Sequence, residues 1–295
     1  MKILLTGING QLGSQLQPLL IKVGEVMGVG RNNLDLADPN AISKLIDQVK
    51  PELIINAAAY TAVDKSEKEP ELAHAVNSIA PGIMAKEAKK LGATLIHIST
   101  DYVFDGSQST PYIETDPTNP LGIYGQSKLA GEEAIRETEA NHIIIRTAWV
   151  YGAYGKGNFV KTMLRVGKDR EELRVVYDQV GCPTWTGDLA EAIAQIIPNL
   201  NSETYGTYHY TNSGAISWYD FAIAIFEEGR QLGFPLQVKQ VVPITTAEYP
   251  TPAKRPAFSV LNSGKISKVL GTYCPYWRYS LKQMLKQLAA LSSMH

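Results

Sequence analysis

The chain begins Met1-Lys2-Ile3-Leu4-Leu5-Thr6-Gly7-Ile8-Asn9-Gly10-Gln11-Leu12-Gly13, a short apolar run followed by a loop with glycine at every third position. The apolar run predicts a buried strand, and the residues after Gly10 have the pattern of a helix. Glycines at such a junction let the backbone turn tightly and approach a diphosphate, whose charge is met by free N–H groups at the helix start. An ordinary strand-to-helix turn has a similar composition. Because the loop opens an alternating α/β chain, we predict a dinucleotide site at Gly7, Gly10 and Gly13, with a spacing unlike the GxGxxG of the usual dehydrogenases.

The first half of the chain alternates β-branched or leucine-rich runs with segments of helical periodicity. We predict strands at Lys2–Leu5, Glu25–Val29, Leu53–Asn56, Thr94–Ser99 and His142–Arg146. We predict helices at Gln11–Lys22, at Pro39–Val49 with Asp38 as N-cap, and at Glu71–Leu91 with a kink or break at Pro81-Gly82. This alternation predicts an α/β fold, with a Rossmann-type doubly wound parallel sheet formed by residues 1–150.

The composition changes after about Val150, where glycine, proline and aromatic residues become more frequent. This change predicts a smaller C-terminal α/β domain over residues 151–295. A segment near 186–212 is expected to return to the first domain. Helical patterns remain at Asn158–Gly167, Asp188–Ile197, Ser217–Gly229 and Tyr279–Leu291. The stretch Tyr249-Pro250-Thr251-Pro252-Ala253-Lys254-Arg255-Pro256 is too rich in proline for a helix, and by itself it indicates a surface connector.

Composition excludes several classes of protein. The 295 residues carry 28 Lys and Arg against 29 Asp and Glu, a net charge of −1, so no overall field attracts nucleic acid or an anionic membrane surface. No run approaches the roughly 18 apolar residues of a membrane span, and the first strand is too short for a signal peptide. The two cysteines, Cys182 and Cys274, have no metal-ligand spacing and suggest no disulfide framework. We therefore expect a cytoplasmic protein.

The end of the second predicted strand indicates which dinucleotide would bind. Val29-Gly30-Arg31-Asn32-Asn33 lacks the carboxylate that usually accepts a hydrogen bond from the ribose 2′-OH of NAD, whereas Arg31 could pair with a 2′-phosphate. NADPH is therefore predicted over NADH, although an exposed loop arginine is the plain alternative. Asp35 and Leu36, shortly after Arg31, are further candidates for the cofactor site.

Tyr124 and Lys128 are candidates for proton transfer, because they lie four residues apart on one face of a predicted helix. An ammonium near a phenol favours the phenolate, so we expect Lys128 to lower the pKa of Tyr124 from about 10 and let it exchange a proton near neutral pH. Ser99 or Thr100, at the carboxyl end of the fourth strand, could hold a substrate oxygen beside Tyr124. Simple capping of the strand end would explain either hydroxyl taken singly.

Together these motifs resemble the extended short-chain dehydrogenases/reductases that act on nucleotide sugars. Within that superfamily the chain is similar to the dTDP-4-dehydrorhamnose reductase family over nearly its whole length. The stretches that carry the similarity are Asn56-Ala57-Ala58-Ala59-Tyr60-Thr61-Ala62-Val63-Asp64, Ser99-Thr100-Asp101-Tyr102-Val103-Phe104, Arg146-Thr147-Ala148-Trp149-Val150-Tyr151, Asp178-Gln179-Val180-Gly181-Cys182-Pro183-Thr184 and the proline-rich stretch at 249–256.

The resemblance implies NAD(P)H-dependent reduction of the C4 ketone of dTDP-4-dehydro-6-deoxy-L-mannose to dTDP-L-rhamnose, the last step of dTDP-rhamnose biosynthesis for polysaccharides. It implies that residues 151–295 mainly bind the sugar nucleotide. The catalytic residues would be Tyr124 as proton donor, Lys128, which would also bind the nicotinamide ribose, and Thr100 as the group that orients the substrate oxygen. The other positions it implies are Asp101, Trp149 and Arg255 for the substrate, and Gly10, Gln11, Leu12, Ala57, Ala58 and Ala59 for the cofactor.

The resemblance also implies homodimers in some members, assisted by magnesium. No metal cluster is apparent in the sequence, because the histidines at 74, 97, 142, 209 and 295 are scattered and the acidic run Asp64 to Glu71 has the character of a solvated face. We therefore predict no metal-binding residues, and Mg²⁺ enters by analogy with the family alone.

Two other functions fit the same motifs. A nucleotide-sugar 4-epimerase or dehydratase would retain its nicotinamide and show no net oxidation. A non-catalytic subunit, similar to the regulatory subunit of methionine adenosyltransferase, would keep the fold while binding a partner enzyme. The presence of Tyr124, Lys128 and Thr100 favours the reductase.

Overall fold

The computed structural model describes residues 1–292. The strands are β1 (Lys2–Thr6), β2 (Glu25–Val29), β3 (Leu53–Asn56), β4 (Thr94–Thr100), β5 (His142–Thr147), β6 (Val150–Tyr151), β7 (Glu172–Val176), β8 (Val180–Gly181), β9 (Thr184–Trp185), β10 (Gly206–His209), β11 (Ile216–Ser217) and β12 (Gln240–Ile244). The helices are α1 (Gln11–Leu20), α2 (Pro39–Val49), α3 (Val63–Ser66), α4 (Pro70–His74), α5 (Ala80–Leu91), α6 (Ile123–Glu137), α7 (Phe159–Asp169), α8 (Thr186–Ile196), α9 (Trp218–Gln231), α10 (Gly264–Leu270) and α11 (Trp277–Ser292).

The central sheet has six parallel strands in the order β10-β5-β4-β3-β1-β2. Side chains alternate between its faces. Ile3 and Leu5 of β1 pack with α1 and α8 on one side, and Leu4 packs with α2 and α5 on the other. Because helices cover both faces, the sheet is doubly wound, as the alternation in the sequence predicts.

The segment between β3 and β4 differs from the predicted kinked helix. It contains α4, a π-helical turn at Ala75–Ile79 and then α5. The helical backbone continues through Pro81 without interruption, and the irregularity is the π-turn, which ends two residues before the proline. The prediction of a break at Pro81-Gly82 was therefore wrong.

The second half of the chain is divided between the central sheet and a separate core. β10 pairs with β5, and α8 packs against α1, so the segment that contains them extends the central sheet and its helical layer. Elsewhere in the second half of the chain, α7, α9 and α11 enclose their own apolar cluster around Phe221, Trp277 and Leu281. A parallel pair, β7 and β12, packs beside it.

Parallel strands place their carboxyl ends at one edge of the sheet, which in this architecture is where ligands bind. Gly7 follows β1, Ala57 follows β3, and Thr100 ends β4. Trp149 lies just after β5. The fold thus gathers residues from distant parts of the sequence at this edge.

Candidate active site

The glycine loop between β1 and α1 has no room for side chains. Gly7 has φ +71°, and a Cβ there would lie 2.9 Å from the backbone of Ala57. A Cβ on Gly13 would lie 2.1 Å from the Gly7 carbonyl oxygen. Gly10, the N-cap of α1, supplies no side-chain cap, so the N–H groups of the first turn stay available for an anion. The cradle fits the diphosphate of a dinucleotide, and Ala57, Ala58 and Ala59 follow β3 beside it.

A contact from the second half of the chain holds one side of this cradle. Asn158 Nδ2 donates to Gln11 Oε1 at 2.7 Å and to the Gly152 carbonyl at 2.8 Å. Asn158 is not predictable as a site residue, because its local sequence indicates only the start of a helix. It also caps α7 by accepting from the Lys161 N–H.

Arg31 lies just beyond β2, and its exposed side chain makes no ion pair or hydrogen bond within residues 1–292. Asp35 is exposed, and its carboxylate accepts from the Ala37 N–H at 2.9 Å. Leu36 packs against the apolar cluster under α2. Of these three candidates, Arg31 has the side chain that remains free to meet a phosphate.

Tyr124, Thr100 and Asp101 come together where α6 begins beside the end of β4. Thr100 Oγ1 donates to Asp101 Oδ1 at 3.0 Å and accepts from the Tyr102 N–H at 3.2 Å. Burial raises the pKa of Tyr124 to about 12, although a hydrogen bond with Thr100 acts in the opposite direction. The Tyr102 ring packs edge-on against Tyr124 with centroids 5.5 Å apart. Tyr124 is therefore a neutral phenol at neutral pH.

Lys128 does not lower the pKa of Tyr124 as predicted. Its side chain is 1% exposed, and Nζ donates to the Ile98 carbonyl at 2.6 Å and lies 3.2 Å from His97 Nε2. Burial lowers the pKa of Lys128 itself to about 8, with Glu132 acting to raise it. The expectation was wrong for two reasons. The Lys128 amine bonds to β4, and burial has the largest effect on the pKa of the Tyr124 phenol.

Ser99 and Thr100 have different roles, which settles which of the two hydroxyls belongs to the site. Ser99 Oγ donates to Glu132 Oε1 at 2.5 Å, in the interior behind α6. Glu132 also accepts from Arg146 at 2.7 and 2.9 Å. Burial opposes ionisation of Glu132, but hydrogen bonds and charge from Arg146 hold its pKa below the ordinary value. Thr100 is thus left as the hydroxyl beside Tyr124.

Asp101 is a buried carboxyl group at the floor of the site. It is 2% exposed, and its Oδ2 has no hydrogen-bond partner within the described residues. Burial raises the pKa of Asp101 to about 6, against the effect of hydrogen bonds from Ser259 and Thr100. Ser259 belongs to the C-terminal half and bonds through its N–H to Val180, so the second half of the chain closes over this carboxyl group.

Trp149 has a left-handed backbone, with φ +47°, at the turn between β5 and β6. Its ring stacks on Trp218 of α9, with centroids 3.5 Å apart and planes 8° from parallel. A non-glycine residue in this conformation costs about 1–3 kcal/mol and is typical of functional sites. Packing holds Trp149 where the two halves of the chain meet.

Arg255, the candidate for the substrate diphosphate, is already paired. Its Nη2 lies 2.9 Å from Asp64 Oδ2, and Asp64 Oδ1 accepts from the Ala253 N–H at 3.2 Å. Arg255 also bonds to Thr251. The proline-rich segment is therefore attached to α3, close to Tyr102, and is more than a surface connector.

The acidic run from Asp64 to Glu71 lies at the surface, with Glu71 exposed, and three of its carboxylates also make defined contacts. Besides the Asp64 pair, Glu67 Oε1 accepts from the Ile123 N–H at 2.9 Å and so caps α6. Glu69 accepts from the Tyr60 hydroxyl at 2.7 Å.

Across the described part of the chain, no three His, Cys, Asp or Glu side chains stand close enough to hold a metal. One of the five histidines, His295, lies outside the described residues.

No helix among residues 1–292 is long and apolar enough to cross a membrane.

Comparison with known proteins places this geometry in a family. The family model described as the RmlD substrate binding domain matches residues 1–290. The chain is 44% identical to the dTDP-4-dehydrorhamnose reductase of Burkholderia thailandensis, over 98% of this chain and 99% of that one. The crystal structure of a Clostridium acetobutylicum dTDP-4-dehydrorhamnose reductase superposes with a TM-score of 0.90 at 42% identity, covering 98% of this chain and 99% of that one. A Bacillus anthracis dTDP-4-dehydrorhamnose reductase in complex with NADP superposes with a TM-score of 0.89 at 38% identity, covering 97% and 99%. The chain belongs to the RmlD substrate-binding family, within the extended short-chain dehydrogenases/reductases that its motifs resemble.

Proposed function

We propose that this chain is an NADPH-dependent reductase that converts the C4 ketone of dTDP-4-dehydrorhamnose to the alcohol of dTDP-L-rhamnose. The observation that carries the proposal is the meeting of Tyr124, Thr100 and Asp101 at the sheet edge that also holds the glycine cradle. A diphosphate cradle beside a neutral phenol is the arrangement that ketone reduction needs.

The chain's own residues would supply binding, orientation and a proton. A reduced nicotinamide dinucleotide supplies hydride to the ketone carbon when it is bound. Tyr124 would donate its phenolic proton to the oxygen of that ketone as negative charge develops there. Thr100 would hold the same oxygen, and Asp101 with its free Oδ2 would accept from a sugar hydroxyl. Lys128 would bind the nicotinamide ribose.

The choice of NADPH over NADH rests on Arg31. Its guanidinium is exposed and unpaired within residues 1–292, just after β2, where a 2′-phosphate would need a partner. We expect Arg31→Ala to reduce kcat/KM for NADPH at least tenfold, about 1.4 kcal/mol, and to leave kcat/KM for NADH nearly unchanged. Lys22→Ala, which removes another exposed cation, is the matched control. An equal loss with both cofactors would contradict this role.

We also propose which regions of the chain bind the cofactor and which bind the substrate. Residues 1–150, with the segment near 186–212, would bind the cofactor, and residues 151–295 would mainly bind the dTDP-sugar. Arg255 would contact the substrate diphosphate by exchanging part of its contact with Asp64.

We further propose a cytoplasmic homodimer. The two buried free thiols, Cys182 and Cys274, suit a reducing compartment, and light scattering of the purified protein would measure its mass.

The decisive experiment mixes purified protein with dTDP-4-dehydrorhamnose and NADPH and follows the near-ultraviolet absorbance of the reduced nicotinamide. Stoichiometric oxidation with formation of dTDP-L-rhamnose is the expected result. An epimerase or dehydratase would consume no NADPH, and a non-catalytic subunit would show no turnover, so either outcome would overturn the proposal.

A further inference from the structure

A row of buried polar side chains runs through the sheet beneath Lys128. Thr6, Asn56 and His97 lie side by side on β1, β3 and β4, in register. Each is at most 1% exposed. Polar groups in a sheet interior are costly unless all of their hydrogen bonds are made, so the direction of each bond in this row carries information.

The Asn56 amide has only one orientation that satisfies its neighbours. Its Oδ1 accepts from Thr6 Oγ1 at 2.7 Å and from the Ala58 backbone N–H at 3.3 Å. A backbone N–H can only donate, so this side of the amide must be the oxygen. Asn56 Nδ2 then donates to His97 Nδ1, 3.1 Å away. His97 Nδ1 is therefore an acceptor and carries no proton.

A neutral His97 that accepts at Nδ1 must carry its proton on Nε2. Nε2 lies 3.2 Å from Lys128 Nζ. An ammonium has three donors and no acceptor, so it would oppose this N–H. A neutral amine has a lone pair that can accept from it, while one of its own N–H groups donates to the Ile98 carbonyl at 2.6 Å. All of these bonds are satisfied together when Lys128 is uncharged.

The charged and titratable groups around this pair act in both directions. On α6, Glu132 favours the ammonium form of Lys128, but its own charge is matched by Arg146 of β5. Tyr124 precedes Lys128 by one turn and is a neutral phenol. Burial, followed by the charge of Lys128, lowers the pKa of His97 well below its ordinary value, so the imidazole stays neutral.

We propose that Asn56 and His97 are positioning residues that control the charge of Lys128, because the Nε2–H tautomer of His97 presents a donor to the amine and favours its neutral form. Lys128 is then a group whose charge changes within the working pH range instead of a permanent cation. The kinetic part of this inference rests on the proposed reductase function, but the tautomer does not.

The tautomer is measured directly in protein labelled with ¹⁵N at histidine. We expect long-range ¹H–¹⁵N spectra at about pH 7 to show His97 with a protonated Nε2 and an unprotonated Nδ1. The His97 signals are those lost in His97→Gln and kept in His142→Gln, a control at a partly exposed histidine at the start of β5. A proton on Nδ1 in the wild-type protein would overturn the proposal.

Asn56→Asp tests whether Asn56 sets the tautomer of His97. A carboxylate at this position accepts where the amide donated, so the proton on His97 is expected to move to Nδ1. Nε2 then becomes an acceptor for the Lys128 ammonium. Retention of the Nε2–H tautomer in a folded Asn56→Asp protein would show that Asn56 does not set it and would overturn the proposal. If this variant does not fold, the wild-type spectrum and the His97→Gln profile below still decide.

The pH profile of the reductase gives an independent measurement. We expect kcat to fall at alkaline pH as Lys128 loses its proton, because a neutral amine would donate more weakly to the nicotinamide ribose. The amide oxygen of Gln in His97→Gln can accept from the ammonium, so the pH at which kcat falls should rise by about one unit in this variant. His142→Gln should keep the alkaline limb of the wild-type pH profile. A lower kcat with an unmoved limb would mean that His97 serves packing only. If none of the proteins oxidised NADPH, the proposed function would be wrong, and the tautomer spectra would still decide this inference.

Discussion

Tyr124 is poised as an acid because burial keeps its proton in place. The phenol has a pKa of about 12, so it is protonated throughout the neutral range and can give up a proton when an alkoxide forms beside it. This differs from a tyrosine activated in advance by a cation. The direction of the proposed reaction, reduction, is the one that a neutral phenol serves.

Tyr124→Phe removes the donated proton while keeping the ring. We expect kcat to fall by about 10² to 10⁴-fold, the usual contribution of general acid catalysis, with little change in the unfolding midpoint. Steady-state NADPH oxidation and urea denaturation measure the two quantities. Tyr177→Phe, at an exposed tyrosine outside the site, is the control, and near-normal turnover in Tyr124→Phe would remove Tyr124 from the mechanism.

Asp101 makes the stability of the protein depend on pH. Its folded pKa of about 6 lies above the ordinary 3.8, so the folded state holds this proton more tightly than the unfolded chain. The stabilisation is complete below the ordinary value and is lost as pH rises through about 6. Asp101→Asn should therefore be more stable than the wild type near pH 7, by up to about 3 kcal/mol, with the difference shrinking toward about pH 4.

Urea unfolding at a series of pH values measures this difference. Asp105→Asn is the matched control, because hydrogen bonds from Ser107 and Asn119 lower the pKa of Asp105 to about 2 and so give the opposite sign. A stability difference between Asp101→Asn and wild type that did not vary with pH would contradict the assigned pKa.

At the scale of the elements, α6 is fixed to the sheet by a buried carboxylate. Glu132 is fully buried and bonds to Ser99 of β4 and Arg146 of β5. Tyr124, Lys128 and Glu132 follow one another at intervals of four residues on the same face of the helix. The contact that anchors the helix therefore also fixes the height of Tyr124 above the sheet.

Arg146→Met tests this anchor. Leaving Glu132 buried without its partner should destabilise the protein by about 3–5 kcal/mol in urea unfolding. Arg136→Ala removes the other, partly exposed partner of Glu132 and should cost about 0–1 kcal/mol. In the double variant Arg146→Met with Glu132→Gln, we expect recovery of part of the loss. Equal effects of the two single arginine variants would contradict the anchor.

The strands and helices were largely predictable, because apolar periodicity depends on burial alone. The predicted strand β1 and the observed one differ by a single residue, and α2 has the predicted bounds and N-cap. The π-turn before α5 and the pairing of β7 with β12 were not predictable. Both depend on contacts between segments that are distant in sequence.

The candidate site also combines features that follow from sheet topology with contacts between segments that are distant in sequence. Thr100, Asp101 and Tyr124 could be placed together from the topology of a parallel sheet, since strand ends meet at one edge. The bonds of Lys128 could not, because His97 reaches it only through the packing of α6 on β4. Asn56 in turn reaches His97 only through the register of β3 and β4. Asn158 reaches Gln11 across 147 residues, and no local pattern indicates that contact.

At the scale of the whole molecule, the pair of Asp64 and Arg255 attaches the C-terminal segment to α3. The two side chains are 41% and 22% exposed, so the pair contributes little to global stability. Its effect is local, because it holds the proline-rich stretch beside Tyr102. We expect the order of this segment to depend on the pair.

Asp64→Asn should speed backbone amide exchange within residues 249–256 while changing the free energy of unfolding by less than about 1 kcal/mol. Hydrogen exchange followed by mass spectrometry measures the first quantity and urea unfolding the second. Glu171→Gln, which breaks an exposed pair with Lys239, should leave exchange in that segment unchanged. Unaltered exchange in Asp64→Asn would show that the segment is held by other contacts.

The stacked rings of Trp149 and Trp218 give the molecule an optical signal of its own. Two indoles 3.5 Å apart and nearly parallel are close enough for their electronic transitions to couple, which produces a paired band in ultraviolet circular dichroism. One ring follows a strand of the central sheet and the other begins a helix of the second core. Any ligand that separates or tilts them weakens that band. Binding of a ligand that changes this stacking can therefore be followed in the unmodified protein, without a dye and without turnover.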